Sequence, residues 1–307
     1  MKILILTDFD NGGQMISLKK AFDNYTHHEA RLITFRQTYL DYEVDMFNPS
    51  PDDVKEMADW ADFFILGEVL VPNVQSEAIL NKINQNNCIV RAGGSLARNH
   101  PELYCTSIFA KIMKTGAYHD VTLASRIFPM AHTVNMYHFD EWPKPEKNIL
   151  KPLRLVFSGT ALKRTAEHSG PITEAWDMLR NNFDPSEIEF VTIKNTSWKE
   201  TLKIKSTCDI CYDQTLLGAY ASSSIEGMFY DMPTFCYVSD WCRSIHPEVP
   251  VISVRTALEI FGRTVNIVKN HGQYSYGHDY AVQVHGAQNA IKRWTALIDY
   301  VQYEYGV

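Results

Sequence analysis

Short apolar runs alternate with amphipathic stretches along the whole chain, and no other feature constrains its fold as tightly. A strand buried on both faces needs an apolar run, whereas a helix lying on a sheet needs an apolar stripe at helical spacing. Repeated in turn, the two make βαβ units and a mainly parallel sheet. In the first half, strands are expected near 2–7, 30–35, 62–66, 87–91 and 121–124, and helices near 13–24, 53–60 and 74–85. The periodicity stops around 138–152. There the stretch from His138 to Lys147 is polar and punctuated by Pro143 and Pro145, as a linker is. A second series follows, with strands near 153–158, 187–193, 208–213, 233–238 and 249–253. Its helices are expected near 170–181, 197–206, 222–230 and 255–269. From Ala287 to Tyr303, residues Ile291, Trp294, Leu297, Ile298 and Val301 recur at helical spacing.

The 307 residues exceed a typical single domain and suit two of about 150 each. The division expected is 1–145 and 146–286, followed by a terminal helix over 287–307. Two doubly wound sheets joined by a linker leave a cleft at the carboxyl ends of their strands, where such sheets bind ligands. A formal charge of -7 argues against a surface built for generic polyanions, while leaving room for a local basic groove. No apolar run is long enough to span a membrane. Ile3 to Leu6 is too short for a signal peptide and reads as a first buried strand, so a cytoplasmic protein is expected. Six cysteines are scattered among apolar neighbours. Cys208 and Cys211 have redox or zinc spacing, but no second Cys or His pair follows at the usual distance. Buried, reduced thiols and no metal site are expected.

The most informative stretch runs from Cys208 to Cys236. A strand ends near Asp213, a loop of small residues follows from Gly218, and a helix opens at Ser222–Ser224 with Glu226 close behind. A helix opening behind such a loop offers free backbone N–H groups and its positive dipole end, which suits a diphosphate or sugar hydroxyls. Here the chain resembles glycosyltransferases of the GT-B type, most closely the large family four. In that family a loop of form E-G-F-G leads to a helix E-A-M-A-x-G-x-P-V, and the segment Glu226 to Pro233 matches the helix in register. The family's first glutamate falls on Gly218, and its loop glycines on Ala219 and Ala221 around Tyr220. Asp213-Gln214 stands upstream, as in a phage and metagenomic subgroup with D-Q-x-x-x-G-x-Y-G. The resemblance implies an α/β GT-B fold, two Rossmann-like doubly wound domains facing each other across a cleft, with the terminal helix crossing back to the first domain. It also implies that Glu226 holds the nucleotide ribose. Asp213, Gln214, Tyr220, Ala221 and Ser222 would line the sugar and diphosphate.

A second segment, Leu153 to Gly170, reads as a strand, a turn at Gly159 and a basic pair, Lys163-Arg164, ahead of a helix. A departing diphosphate without a metal must be stabilised by cations and dipoles. Similar enzymes place a Gly-x-x-x-x-Lys/Arg loop here, so Gly159, Lys163 and Arg164 are the corresponding candidates. Asn195 lies in the stretch where relatives pack the base, and Trp198 beside it is either a base platform or a core residue.

In the first half, strand one runs into Asp8, Asp10, Gly12 and Gly13 before a helix. The loop lacks G-x-G-x-x-G and the Walker pattern, so neither a dinucleotide nor a Walker-type phosphate site is supported. In GT-B enzymes it faces the donor. Gly12 and Gly13 would then meet the acceptor, and Asp8 or Asp10 could take its proton if the reaction inverts. Arg91 to Arg98 resembles the G-S-x-x-R of some relatives through Ser95 and Arg98. From Arg91 to Arg126 five basic residues face two acids, an excess that either lines an acceptor groove or solvates a helix. His132 lies near the domain junction, where relatives often carry a cleft residue.

The expected function is transfer of a sugar from a nucleotide-diphosphate sugar, UDP- or GDP-linked, to an acceptor hydroxyl, without a cofactor. Family similarity favours retention of configuration. The acceptor is a saccharide or glycan, or a hydroxymethylated base of phage DNA. A nucleotide-sugar epimerase or a non-catalytic nucleotide-sugar-binding protein of the same fold are the alternatives.

Overall fold

A computed structural model describes residues 1–36, 43–67, 77–92, 110–113, 127–128, 136–146, 152–158, 162–194, 196–270 and 277–305. At 11, 92, 110–113, 127–128, 162–169 and 304–305 it describes the backbone alone. The chain divides into two compact units: Met1–Phe139 with Val284–Val307, and Asp140–Gln283.

Seven parallel strands form the sheet of the first unit. They are β1 (Lys2–Thr7), β2 (Glu29–Thr34), β3 (Met46–Phe47), β4 (Phe63–Leu66), β5 (Cys88–Ala92), β6 (Ala110–Met113) and β7 (Ile127–Phe128). Their order is β3-β2-β1-β4-β5-β6-β7, so the winding reverses between β1 and β4. Three of these strands, β3, β6 and β7, were not expected from the sequence. They are too short, or too mixed, for an alternation signal. The strand expected at 121–124 lies outside the described residues.

Ile3, Ile5, Phe63 and Ile65 are buried against helix α1 (Gln14–Tyr25). The terminal helix, here α10 (Ala287–Tyr305), completes the same core by burying Ile291, Trp294, Ile298 and Val301. Its anchor is a short parallel pairing of Tyr137 with Gly286. The other helices of this unit are α2 (Pro51–Trp60) and α3 (Glu77–Leu80).

The second unit has strands β8 (Leu153–Ser158), β9 (Ile188–Ile193), β10 (Ile210–Tyr212) and β11 (Thr234–Phe235), all parallel, in the order β11-β10-β8-β9. Ile252 adds an isolated parallel bridge to Phe235, extending the sheet beyond β11. The winding reverses between β8 and β10, and at such a switch point the strand ends leave a crevice. Register fixes what stands there. Tyr212 pairs with Phe157, so Asp213 and Ser158 follow at the carboxyl edge.

Its helices are α4 (Leu162–Arg180), α5 (Trp198–Lys205), α6 (Ser222–Phe229), α7 (Asp240–Ile245), α8 (Ala257–Lys269) and α9 (His278–His285), whose last two residues belong to the first unit. Aromatic packing fills the core: Tyr212 stacks on Phe235 at 5.0 Å, and Trp176 meets Tyr212 edge-on.

Two expectations are corrected. The stretch taken as a polar tether carries Trp142, which is buried against Phe229 and Trp198. An indole placed there binds the segment into the second unit, so the first boundary falls at Phe139 rather than near 145. Helix α4 begins at Leu162, not near 170, and continues through Pro171. The run Leu162 to Glu167 is made largely of good helix formers. Proline at 171 removes one backbone donor but does not end the helix.

Cys88, Cys208, Cys211, Cys236 and Cys242 are free and buried, and Cys208 and Cys211 do not pair. No helix among the described residues is long and apolar enough to cross a membrane.

Candidate functional site

The switch point of the second unit collects most of the expected residues that the structure describes. After β10 the chain turns through 213–221 and opens α6. Gln214 builds that turn. Its side-chain oxygen accepts from the amides of Leu216 and Leu217, at 2.7 and 2.6 Å. Its nitrogen donates to the carbonyls of Ala219 and Tyr237. Gln214 is buried and both ends of its amide are occupied, so it shapes the loop and has little capacity left for a ligand. Gly218 sits at φ +71°, and its carbonyl accepts from both the amide and the hydroxyl of Ser239. A left-handed residue is needed here, which is the local reason for glycine at this position.

Asp213 accepts with one oxygen from the Ala221 amide and the Ser224 hydroxyl. The carboxylate thereby ties the N-cap residue Ala221 to Ser224 in the first turn of α6, without occupying the first-turn amides. Ser222 opens the helix half-buried. The first-turn amides of Ser222, Ser223 and Ser224 have no partner within the helix, and the positive end of the dipole lies there. Tyr220 is turned inward. Its hydroxyl meets that of Tyr280 at 3.1 Å, its ring meets His246 edge-on, and burial holds its pKa well above the ordinary value.

Glu226 lies one turn further along α6 and is only 5% exposed. One of its carboxylate oxygens, Oε2, takes a hydrogen bond of 2.5 Å from Nζ of Lys205, which also donates to Ser223 Oγ at 2.7 Å. Lys205 ends α5 and has no exposed side-chain surface. Burial pulls its pKa down, but the carboxylates of Glu226 and Asp213 outweigh burial and hold it above the ordinary lysine value. Sequence reasoning missed Lys205. The available signal was a lysine three residues after Leu202, on the helix face that Leu202 buries. Tyr230, at the end of α6, is buried and feels the Glu226 charge; its hydroxyl has no hydrogen-bond partner among the described residues.

Lys163 and Arg164 lie in the first turn of α4 and not in a loop ahead of it; their side chains are outside the description. Gly159, Asn195, Ser95, Arg98 and His132 lie outside the described residues altogether. Trp198 is half-buried and packs edge-on against Trp142 at 5.6 Å.

In the first unit, Gly12 and Gly13 both take positive φ, 75° and 67°, and lead into α1 from the switch point between β1 and β4. Asp10 is fully buried, and its two carboxylate oxygens accept from the amides of Met15 and Ile16. It is the helix cap, which leaves it badly placed as a proton acceptor and occupies amides an anion would use. Asp8 is half-exposed and paired with Arg36. Arg91 is 6% exposed within β5, so it does not line a solvated basic groove.

A recess of about 430 Å³ in this unit is lined by Lys19, Asp23, Arg31 and Asp45 among others, near the amino end of β2. It carries no expected site residue, and its charges pair with one another. Among the described residues no group of His, Cys, Asp and Glu is arranged to hold a metal ion.

No family model matches the chain, and no curated protein matches it in sequence. Solved structures do match. UDP-GlcNAc 2-epimerase from Methanocaldococcus jannaschii aligns over 98% of this chain and 100% of its own, with TM-score 0.58 and 12% identity. AviGT4, a glycosyltransferase involved in avilamycin A biosynthesis, aligns over 98% of both chains, with TM-score 0.57 and 9% identity. The chain has the GT-B fold. A further GT-B structure, the Methanocaldococcus jannaschii epimerase in complex with UDP-GlcNAc and UDP, aligns over 98% of this chain and 100% of its own, with TM-score 0.54 and 11% identity. At these identities the likeness is one of fold. The site residues of this GT-B chain therefore rest on their own geometry.

Proposed function

We propose that the chain acts on a nucleoside-diphosphate sugar, which the second unit holds at the carboxyl edge of its sheet, and that it transfers the sugar to an acceptor hydroxyl. The carrying observation is the convergence at the β8/β10 switch point of the α6 amides, the remaining oxygen of Asp213 and the carboxylate of Glu226. On this reading the amides of Ser222–Ser224 face the diphosphate, and Glu226 accepts from the ribose diol. Asp213 replaces the acid absent at Gly218. Lys163 and Arg164, at the start of α4, oppose the charge that builds on the departing diphosphate. In the first unit, Asp8 is left as the aspartate open to an acceptor hydroxyl. We assign the acceptor to a saccharide or glycan, with a hydroxymethylated base in DNA as the other class.

Epimerisation of the same donor is the second reading. It is favoured by the full-length fold likeness to UDP-GlcNAc 2-epimerases. One experiment separates the two: incubate the protein with UDP- and GDP-sugars, with and without saccharide acceptors, and follow both the free nucleoside diphosphate and the configuration of the recovered sugar. Release that depends on acceptor supports transfer. Interconversion of epimers without acceptor replaces it with the second reading, and tight binding without either leaves a binding protein. No binding of any nucleotide sugar overturns both enzymatic readings.

A further inference from the structure

The polar network beneath α6 contains a cation that the proposed reaction does not call upon. Lys205 is wholly buried, yet it reaches two groups on α6: the Glu226 carboxylate at 2.5 Å and the Ser223 hydroxyl at 2.7 Å. Asp213, bonded to Ser224 of the same helix, adds a further negative charge felt at Lys205. A buried ion pair is a poor way to gain stability, because removing both charges from water costs about as much as their attraction returns. It is an effective way to fix geometry. With Oε2 of Glu226 held by Nζ, the carboxylate cannot rotate freely, and Oε1 keeps its capacity to accept.

Charge gives a second reason. A lone carboxylate behind the start of α6 would repel a diphosphate bound at that start; an ammonium beside it cancels most of that repulsion while leaving the acceptor atom in place.

We propose that Lys205 is a positioning residue for nucleotide binding: it locks Glu226 through one oxygen and neutralises it, so that the other oxygen can receive the ribose hydroxyls beside an anionic diphosphate. This rests on the reading that the second unit holds the nucleotide.

The test is titration calorimetry with UDP and GDP across pH, on the wild-type protein, Lys205→Arg, Lys205→Met and Lys205→Met/Glu226→Gln, with thermal unfolding recorded for each. Wild type is expected to bind one of the two with little change in affinity between about pH 6 and 8. Lys205→Met should bind about tenfold more weakly or worse. Its affinity should also change with pH, because a buried carboxylate without its counter-ion takes up a proton more readily. Lys205→Arg keeps the charge and should recover most of the affinity.

The double variant buries no lone charge. It should therefore fold even if Lys205→Met does not, and should bind weakly without the pH dependence. Wild-type affinity in the double variant, or in a folded Lys205→Met with an unchanged pH profile, overturns the proposal. Failure of the wild-type protein itself to bind either nucleotide overturns the parent reading and this one with it, an outcome recognisable without any variant.

Discussion

Gly227 of α6 lies directly on Cys211 of β10: a Cβ added at Gly227 would stand 2.9 Å from the Cys211 Cβ and 2.4 Å from Thr234 Oγ1. The α6 backbone rests here on the side chains of Cys211 and Thr234, which is why the residue after Glu226 is glycine. Gly227→Ala should push α6 away from β10 and β11 and cost about 1–3 kcal/mol. Urea unfolding measures it, and a midpoint unchanged from wild type would show that the helix does not sit so close.

Lys205→Met leaves Glu226 buried without its partner, which is expected to cost about 3–5 kcal/mol, whereas replacing both members costs less. The sign of the pH dependence follows from the raised pKa of Lys205. Stability gained from a group whose folded pKa is raised is complete below its unfolded value, near 10.5, and fades as pH climbs through the folded value. Chemical denaturation should thus find wild type more stable than Lys205→Met at both pH 7 and pH 10. The gap should be at least as large at pH 10, where the unpaired Glu226 of the variant is ionised, and should narrow only at higher pH. A gap that closes near neutrality would contradict the pairing.

Burial raises the thiols of Cys211 and Cys242 to about 11 and that of Cys208 to about 12, from an ordinary value of 9.0. Unfolded thiols lose their protons first, so stability should fall as pH rises above about 9 and level off only beyond the folded values. At pH 8 these cysteines should react with a thiol reagent only after denaturant is added. Fast modification of the native protein, mapped to any of the three by mass spectrometry, would refute their burial.

Gln214→Leu removes both ends of the amide that ties the 214–221 loop together, and leaves the amides of Leu216 and Leu217 without their acceptor. A loss of about 1–3 kcal/mol is expected, together with weaker nucleotide-sugar binding as the loop before α6 loosens. Unchanged stability would mean that the loop holds itself.

Asp10 serves α1 as a cap, so Asp10→Ala should cost about 1 kcal/mol, while Asp10→Asn keeps an acceptor and loses less. Turnover should survive Asp10→Asn. An inactive but fully folded Asp10→Asn protein would restore Asp10 as a candidate base.

The long strands and helices were legible because each buries an apolar face of its own: β1 as Ile3 to Leu6, and α10 through Ile291, Trp294 and Ile298. Short elements were not. Strand β3 is two residues long, and neither Met46 nor Phe47 is fully buried, so no pattern marks it. The placement of Asp213, Ser222 and Glu226 around the opening of α6 was legible because a loop of small residues before a helix is visible in one dimension. Lys205 was invisible for the opposite reason. Its partner is 21 residues away, and a lysine in an amphipathic helix reads as solvated until the fold buries it.

Taken alone, the sequence determined the alternation of strand and helix, and with it two parallel α/β sheets, because burial periodicity is a local property of the chain. Tertiary structure decided which polar groups remain for chemistry. Gln214 and Asp10 became scaffolding, Tyr220 turned inward, and Lys205 joined Glu226. Hydrogen-bond partners distant in sequence are chosen only when the strands take their order, and a buried polar group must then take whichever partner the packing brings to it.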